Sequence, residues 1–180
     1  TSASWGGYYG LFTTAWGVLS GRQPGARLVT TDASYYLVMD KVLISDNVWT
    51  HLAMTYDAGG GANNFKLYKN GALIASTTAT GNLVVTDDVF LVGYFGAWDM
   101  DELRLWNRVL NQQEIRDGMY TTLSGTETDL AAYWNFNNTT KDITGHGNDG
   151  LLIYWEEYLN STRPTTKPSS EGALQLLLLN

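Results

Sequence analysis

An Asn-Gly pair at residues 70–71, set between two short runs of strand-forming residues, constrains the fold of this chain more than any other feature. The runs are Phe65-Lys66-Leu67-Tyr68 and Ala72-Leu73-Ile74-Ala75. A two-residue loop between paired strands needs positive φ at both positions, which Asn and Gly supply at the least steric cost. The segment therefore predicts a tight antiparallel hairpin, and similar signals recur on both sides of it. Arg27-Leu28-Val29-Thr30 and Tyr35-Tyr36-Leu37-Val38-Met39 flank the polar turn Thr31-Asp32-Ala33-Ser34, which reads as a second hairpin. Residues 48–56 alternate Leu52, Met54 and Tyr56 against Trp49, His51, Ala53 and Thr55. Large residues on both faces suit an inner strand. A glycine-rich hinge spans 57–64, and two further short strands are expected at 83–85 and 89–92 across Asp87-Asp88. Leu103 and Leu105 alternate with Glu102, Arg104 and Trp106, and residues 130–136 return to strand.

One helix is expected. Asn111 with Glu114 three positions on has the capping-box spacing, and Ile115 and Met119 follow at helical spacing, which predicts about two turns over 112–119. Many short strands, Gly and Asn turns and one short helix predict an all-β, two-sheet antiparallel jelly-roll sandwich.

The 180 residues fit one sizeable domain. There is no cysteine, so no disulfide framework exists, and a domain of this size can be stable without one. The formal charge is −7, with 11 Lys and Arg scattered and no basic run among them. A nucleic-acid partner needs a basic stripe, and an anionic membrane surface is disfavoured on the same grounds. No apolar run reaches the ~20 residues of a membrane span, so insertion is not expected. No signal peptide precedes Thr1, which reads as a mature, processed or excised chain. Glycosylation acceptor patterns at Asn137, Asn138 and Asn160 agree with a secreted, extracellular or cell-surface protein.

The last part of the chain differs in character. Residues 160–172 hold two of the three prolines among Ser and Thr and read as a linker. The apolar run Ala173-Leu174-Gln175-Leu176-Leu177-Leu178-Leu179 would be an aggregation-prone edge if uncovered. The expected organisation is a jelly-roll domain over 1–150, followed over 151–180 by a linker and a strand. That strand would complete a sheet in its own or a neighbouring chain.

The segment Trp49-Thr50-His51-Leu52-Ala53-Met54-Thr55-Tyr56-Asp57 resembles a strand of the laminin-G-like, concanavalin-A-like jelly-roll family. Leu67-Tyr68-Lys69-Asn70-Gly71 is similar to its hairpin, and Asp101-Glu102-Leu103-Arg104-Leu105-Trp106-Asn107-Arg108 to a later strand. Leu110 with Glu114-Ile115 resembles its helix. Residues 130–136 and Asp142-Ile143-Thr144-Gly145-His146-Gly147-Asn148-Asp149-Gly150 complete five ordered blocks over 49–150. The likeness fades toward the start, where Phe12-Thr13-Thr14-Ala15-Trp16 or Ala3-Ser4-Trp5 could stand for the second strand. The opening strand has no counterpart there, and Glu171-Gly172-Ala173-Leu174-Gln175-Leu176 resembles the usual lead-in to it.

Some relatives on this fold hydrolyse glycans with two carboxylates on one strand. Here Asp99 and Asp101 share a face, but Leu103 stands where a second acid is needed. His51 and His146 have no G-x-S-x-G partner, and His51 reads as packed and hydrogen-bonded within a strand. No catalytic residue is assigned, and zinc lacks ligands. The oxygen-rich turn at 142–150 suits a hard cation, and the resemblance implies calcium at a sandwich rim. Asp142, Asn148 and Asp149 are the candidate ligands, with Asp101 an addition. Trp5, Tyr8 and Tyr9, and Tyr94, Phe95 and Trp98, lie in glycine-rich stretches where rings can stack on sugars. Trp49, Trp106 and Trp134 lie within strands and read as core. The resemblance implies a non-catalytic extracellular carbohydrate-binding or adhesion module, its partner a glycan or cell-surface protein. The alternative is a structural repeat or subunit of a filament or surface layer that self-associates by strand exchange.

Overall fold

A computed structural model describes residues 9–14, 23–45, 47–84, 99–151 and 175–179. In chain order the elements are β1 (Tyr9–Thr14), β2 (Gln23–Val29), β3 (Tyr35–Met39), β4 (His51–Tyr56), β5 (Phe65–Lys69) and β6 (Ala72–Thr77). They continue with β7 (Asp101–Trp106), α1 (Gln112–Gly118), β8 (Leu130–Trp134) and β9 (Gln175–Leu179). The Asn-Gly turn is as expected: Asn70 and Gly71 have φ of 49° and 71°, and Lys69 pairs with Ala72 across them. Asn111 caps α1 through the amides of Gln113 and Glu114, and Glu114 returns a bond to the Asn111 amide.

The strands form a three-stranded sheet, β1-β2-β3, and a six-stranded sheet, β6-β5-β4-β9-β7-β8. Pairing is antiparallel except at β9, which runs parallel to both β4 and β7. Between the sheets Ala26, Leu28 and Val38 meet Met54, Tyr56, Phe65, Leu67, Leu103, Ala132 and Trp134. Each large side chain removed from water here contributes roughly 1.5–3 kcal/mol. Period-two alternation then sends the other residues of the larger sheet to its opposite face. That face is covered too: Ala53, Tyr68, Trp106 and Tyr133 pack with Leu110 and Ile115. All six residues of β4 are consequently buried, as an inner strand with large residues on both faces requires.

β1 shares residues 12–14 with the segment offered as a strand but begins earlier. Tyr9, expected in a glycine-flanked loop, opens this strand, with Tyr9 opposite Leu28 and Leu11 opposite Ala26. The small sheet tolerates its glycines because Gly25 leaves room for the Phe12 ring, within 2.5 Å of where a β-carbon would sit. β2 likewise begins earlier than the hairpin signal implied and includes Pro24. Of the strands expected over 83–92, only residues 83–84 are described. Leu83 bridges to Thr30, and Val84 donates to the Val29 carbonyl.

The covered outer face holds an ion pair. Arg104 is 1% exposed and Glu102 2%. Their closest approach is 2.6 Å. Arg104 also donates to the carbonyls of Gly118, at 2.7 Å, and Thr121. The Tyr133 hydroxyl donates to Glu102 Oε2 at 2.8 Å. His51 faces the same side and is 1% exposed, but among the described residues neither ring nitrogen has a partner. It is packed as expected, but its bonds to Asn70 are made by the backbone: the amide donates to Asn70 Oδ1 and the carbonyl accepts the Asn70 amide, each at 2.9 Å.

Burial, reinforced by the Arg104 charge, lowers the His51 pKa from 6.5 to about 3. The folded protein therefore holds a neutral imidazole, whereas the unfolded chain takes up a proton below 6.5. His51 contributes its full stability above that value and loses it as the pH falls toward 3. Asp32, lowered from 3.8 to about 2 by hydrogen bonds from the Thr30 and Thr80 hydroxyls, acts in a more acid window. Unfolding free energy from urea denaturation is expected to fall by about 2 kcal/mol between pH 7 and pH 5. His51→Leu should remove most of that fall. A flat profile for the parent chain would contradict a dehydrated imidazole.

Candidate functional site

Of the six aromatic residues expected to meet a ligand, Trp5, Tyr8, Tyr94, Phe95 and Trp98 lie outside the described residues. Tyr9 is half-buried and packs against the inter-sheet core, and burial raises its phenol pKa. Trp106 and Trp134 are buried, and Trp49 packs against Ile44 and Leu52.

The turn expected to hold calcium is closed by its own hydrogen bonds. Asp142 Oδ1 accepts from the amides of Tyr133 and Thr144 and from the Thr144 hydroxyl, at 3.1, 3.0 and 2.7 Å. Its Oδ2 accepts from the Asn148 amide and side chain, at 3.3 and 2.9 Å. These donors lower the Asp142 pKa against the opposing effect of burial. Asp149 Oδ1 accepts the Asp142 amide at 2.9 Å, and the Asn148 carbonyl accepts the Trp134 indole N–H at 2.8 Å. Gly145 and Gly147, at φ of 75° and 88°, provide the reversals that bring these donors round. The motif thereby covers the outer edge of β8, with the Ile143 amide donating to the Tyr133 carbonyl. Among the described residues no three carboxylate or imidazole groups converge on one point, and Asp101 does not join the other three. A cation at this turn would have to displace the donors on Asp142, so these residues do not fit a ready calcium site.

Leu103, in the position where a second acid would stand, is buried between the sheets. Glu102 points to the opposite face and is held there by Arg104 and Tyr133.

A groove of about 360 Å³ opens at one end of the sandwich, and the sequence reading missed it. Three segments line it: Tyr56 at the end of β4 with Asp57 and Ala58 after it; Asn82 and Leu83; and Asn107, Arg108 and Val109 after β7. Tyr56 is fixed by a bond from its hydroxyl to the Gly81 carbonyl. The Asn82 backbone is tied to Thr31 through both its amide and its carbonyl. The Asn107 amide donates to the Asp129 carbonyl at 2.8 Å. Arg108 bonds Glu114 at 2.8 Å, approaches Asp129 at 3.9 Å and lies 5.5 Å from the centre of the Trp106 ring. The side-chain amides of Asn82 and Asn107 make no bond within the described residues. One oxygen of Asp57 accepts the Gly59 amide at 3.0 Å, and the other has no bond there. The backbone of the groove is thus fixed while much of its side-chain hydrogen-bonding capacity is uncommitted. Two of its turns overlap the ends of the blocks at 49–57 and 101–108, but no sequence spacing joins them to Asn82.

The closed turn at 142–150 predicts coincident melting curves in excess calcium and in EDTA. A calcium-dependent rise in Tm would mean that a cation does displace the Asp142 donors and binds the native state.

No helix among the described residues is long and apolar enough to cross a membrane. No curated protein and no solved structure matches the chain. A family sequence model, laminin G 3, described as the concanavalin A-like lectin/glucanases superfamily, matches residues 4–116. The match begins earlier than the five blocks do, taking in the first three strands, and it ends within α1 before the segments at 130–136 and 142–150. It covers more than half of the 180 residues. With its two-sheet β architecture and, among the described residues, a single short helix, the chain belongs to the concanavalin A-like lectin/glucanases superfamily.

Proposed function

We propose that the chain is a non-catalytic carbohydrate-binding or adhesion module of an extracellular or cell-surface protein, with the groove beside Arg108 as its contact site. The observation that carries this reading is the uncommitted set of Asp57, Asn82 and Asn107 groups on turns whose backbone is already fixed. Hydroxyl-rich ligands need such mixed donors and acceptors. Pre-ordering the turns also reduces the entropy lost on binding. The covered Glu102 and buried Leu103 support a binding role over a hydrolytic one.

A glycan array is expected to return hits for the intact chain, unchanged in EDTA. Replacing Asn82 and Asn107 together by Ala should weaken binding about tenfold, since each lost bond is worth ~0.5–1.5 kcal/mol. Both side chains are exposed, so the melting temperature should stay within a degree or two of the parent. A blank array, or hits indifferent to the double substitution, would remove the groove from this role.

A second reading, assembly through the C-terminal strand, is supported by the place of β9. It lies between β4 and β7, with Ala53 opposite Leu177 and Leu105 opposite Leu178, and it is parallel to both neighbours. Strand addition of this kind also joins separate chains. Deleting residues 173–180 should dissociate any oligomer into subunits if the strand is exchanged, or destabilise a monomer if it is not. A deletion that changes neither stability nor assembly would leave the strand without either role.

A further inference from the structure

We infer that the groove selects neutral oligosaccharides and discriminates against sulfated, uronic or sialic acid ones. This rests on the reading of the groove as a glycan site and concerns which class of glycan it takes. Its lining has one guanidinium, Arg108, and that cation is already spoken for. Glu114 bonds it at 2.8 Å, the Asp129 carboxylate lies 3.9 Å from its Nε, and the Trp106 ring is 5.5 Å from Cζ. Asp57 adds a third carboxylate, in the lining itself, so among the described residues at and behind the groove wall the carboxylates outnumber the one cation. Among the described residues of the groove, an anionic substituent would meet no uncompensated cation. The formal charge of −7 on the whole chain adds repulsion at longer range.

The remaining lining suits an uncharged polyol. Asp57 offers an acceptor for ligand hydroxyls, and the amides of Asn82 and Asn107 offer both donors and acceptors. Leu83 and Val109 supply an apolar surface against which the C–H face of a sugar ring can rest. The volume of about 360 Å³ lies at the low end of the ~300–1,000 Å³ typical of ligand sites, which favours a short stretch of sugar over a long chain. Arg108 acts here as a positioning residue. Held by Glu114 on the capped helix, it fixes the wall that carries Asn107 and Val109.

The test is direct binding of the intact chain to matched pairs of oligosaccharides, one neutral and one sulfated or sialylated, at low and at high salt. The neutral member of each pair should bind at least tenfold more tightly, with affinity nearly independent of salt. Asp57→Asn should narrow the gap by easing repulsion, and Arg108→Gln should weaken neutral binding without changing the order of preference. Tighter binding of the anionic members, lost at high salt and in Arg108→Gln, would overturn this selectivity while leaving the groove a glycan site. Absence of binding to both members would overturn the glycan reading itself, and neutral binding indifferent to Asn82→Ala and Asn107→Ala would take the groove out of it.

Discussion

The ion pair between Arg104 and Glu102 is the constraint on which the larger sheet and its covering segment depend. Removing two charges from water is costly, and attraction between them offsets the cost only if their remaining hydrogen-bonding capacity is also met. Arg104 meets most of this through Glu102, Gly118 and Thr121, with only its Nε lacking a partner among the described residues, and Glu102 meets it through Arg104 and Tyr133. The guanidinium also lies 5.6 Å from the centre of the Tyr133 ring. Loss of either partner would leave a charge buried alone, which typically costs about 3–5 kcal/mol. The pair therefore specifies the arrangement of β7, β8 and the segment after α1, whatever its net contribution to stability.

That arrangement reaches the groove through α1. Ile115 packs with Ala53, Tyr68 and Tyr133 on the outer face of the sheet, and the capping box orients Glu114 at the first turn. Glu114 then holds Arg108 from behind, and the Trp106 ring supports the guanidinium. A buried interaction at the middle of the sheet is thus connected, through one short helix, to a rim that recognition can use. The outer edge of the sheet at β8 is organised differently. There Asp142 gathers five hydrogen bonds into a turn that protects the edge of β8. A carboxylate employed in this way looks, in sequence, the same as one waiting for a cation.

Local physics made much of the fold legible. Asn70-Gly71 demanded a tight hairpin, and Asn111 with Glu114 demanded a helix start, because both signals act within a few residues. β1 was only half legible: residues 12–16 could stand for a strand, but glycine beside Tyr9 suggested a loop, and only the pairing with β2 makes Gly10 and Gly25 acceptable in strands. The alternation of Glu102 and Arg104 opposite Leu103 and Leu105 showed a charged face, but nothing local says that a helix covers it. The groove was hidden for a related reason. Its three turns are far apart in the chain, and they come together only when the two sheets pack.

The central claim is that this module meets glycan through the groove formed by the turns at 56–58, 82–83 and 107–109. It is tested most directly by recording amide chemical shifts during titration with a neutral oligosaccharide. The account predicts saturable shifts concentrated in those three turns, with the turn at 142–149 unaffected. Shifts centred on 142–149 or on β9, with the three turns silent, would contradict it.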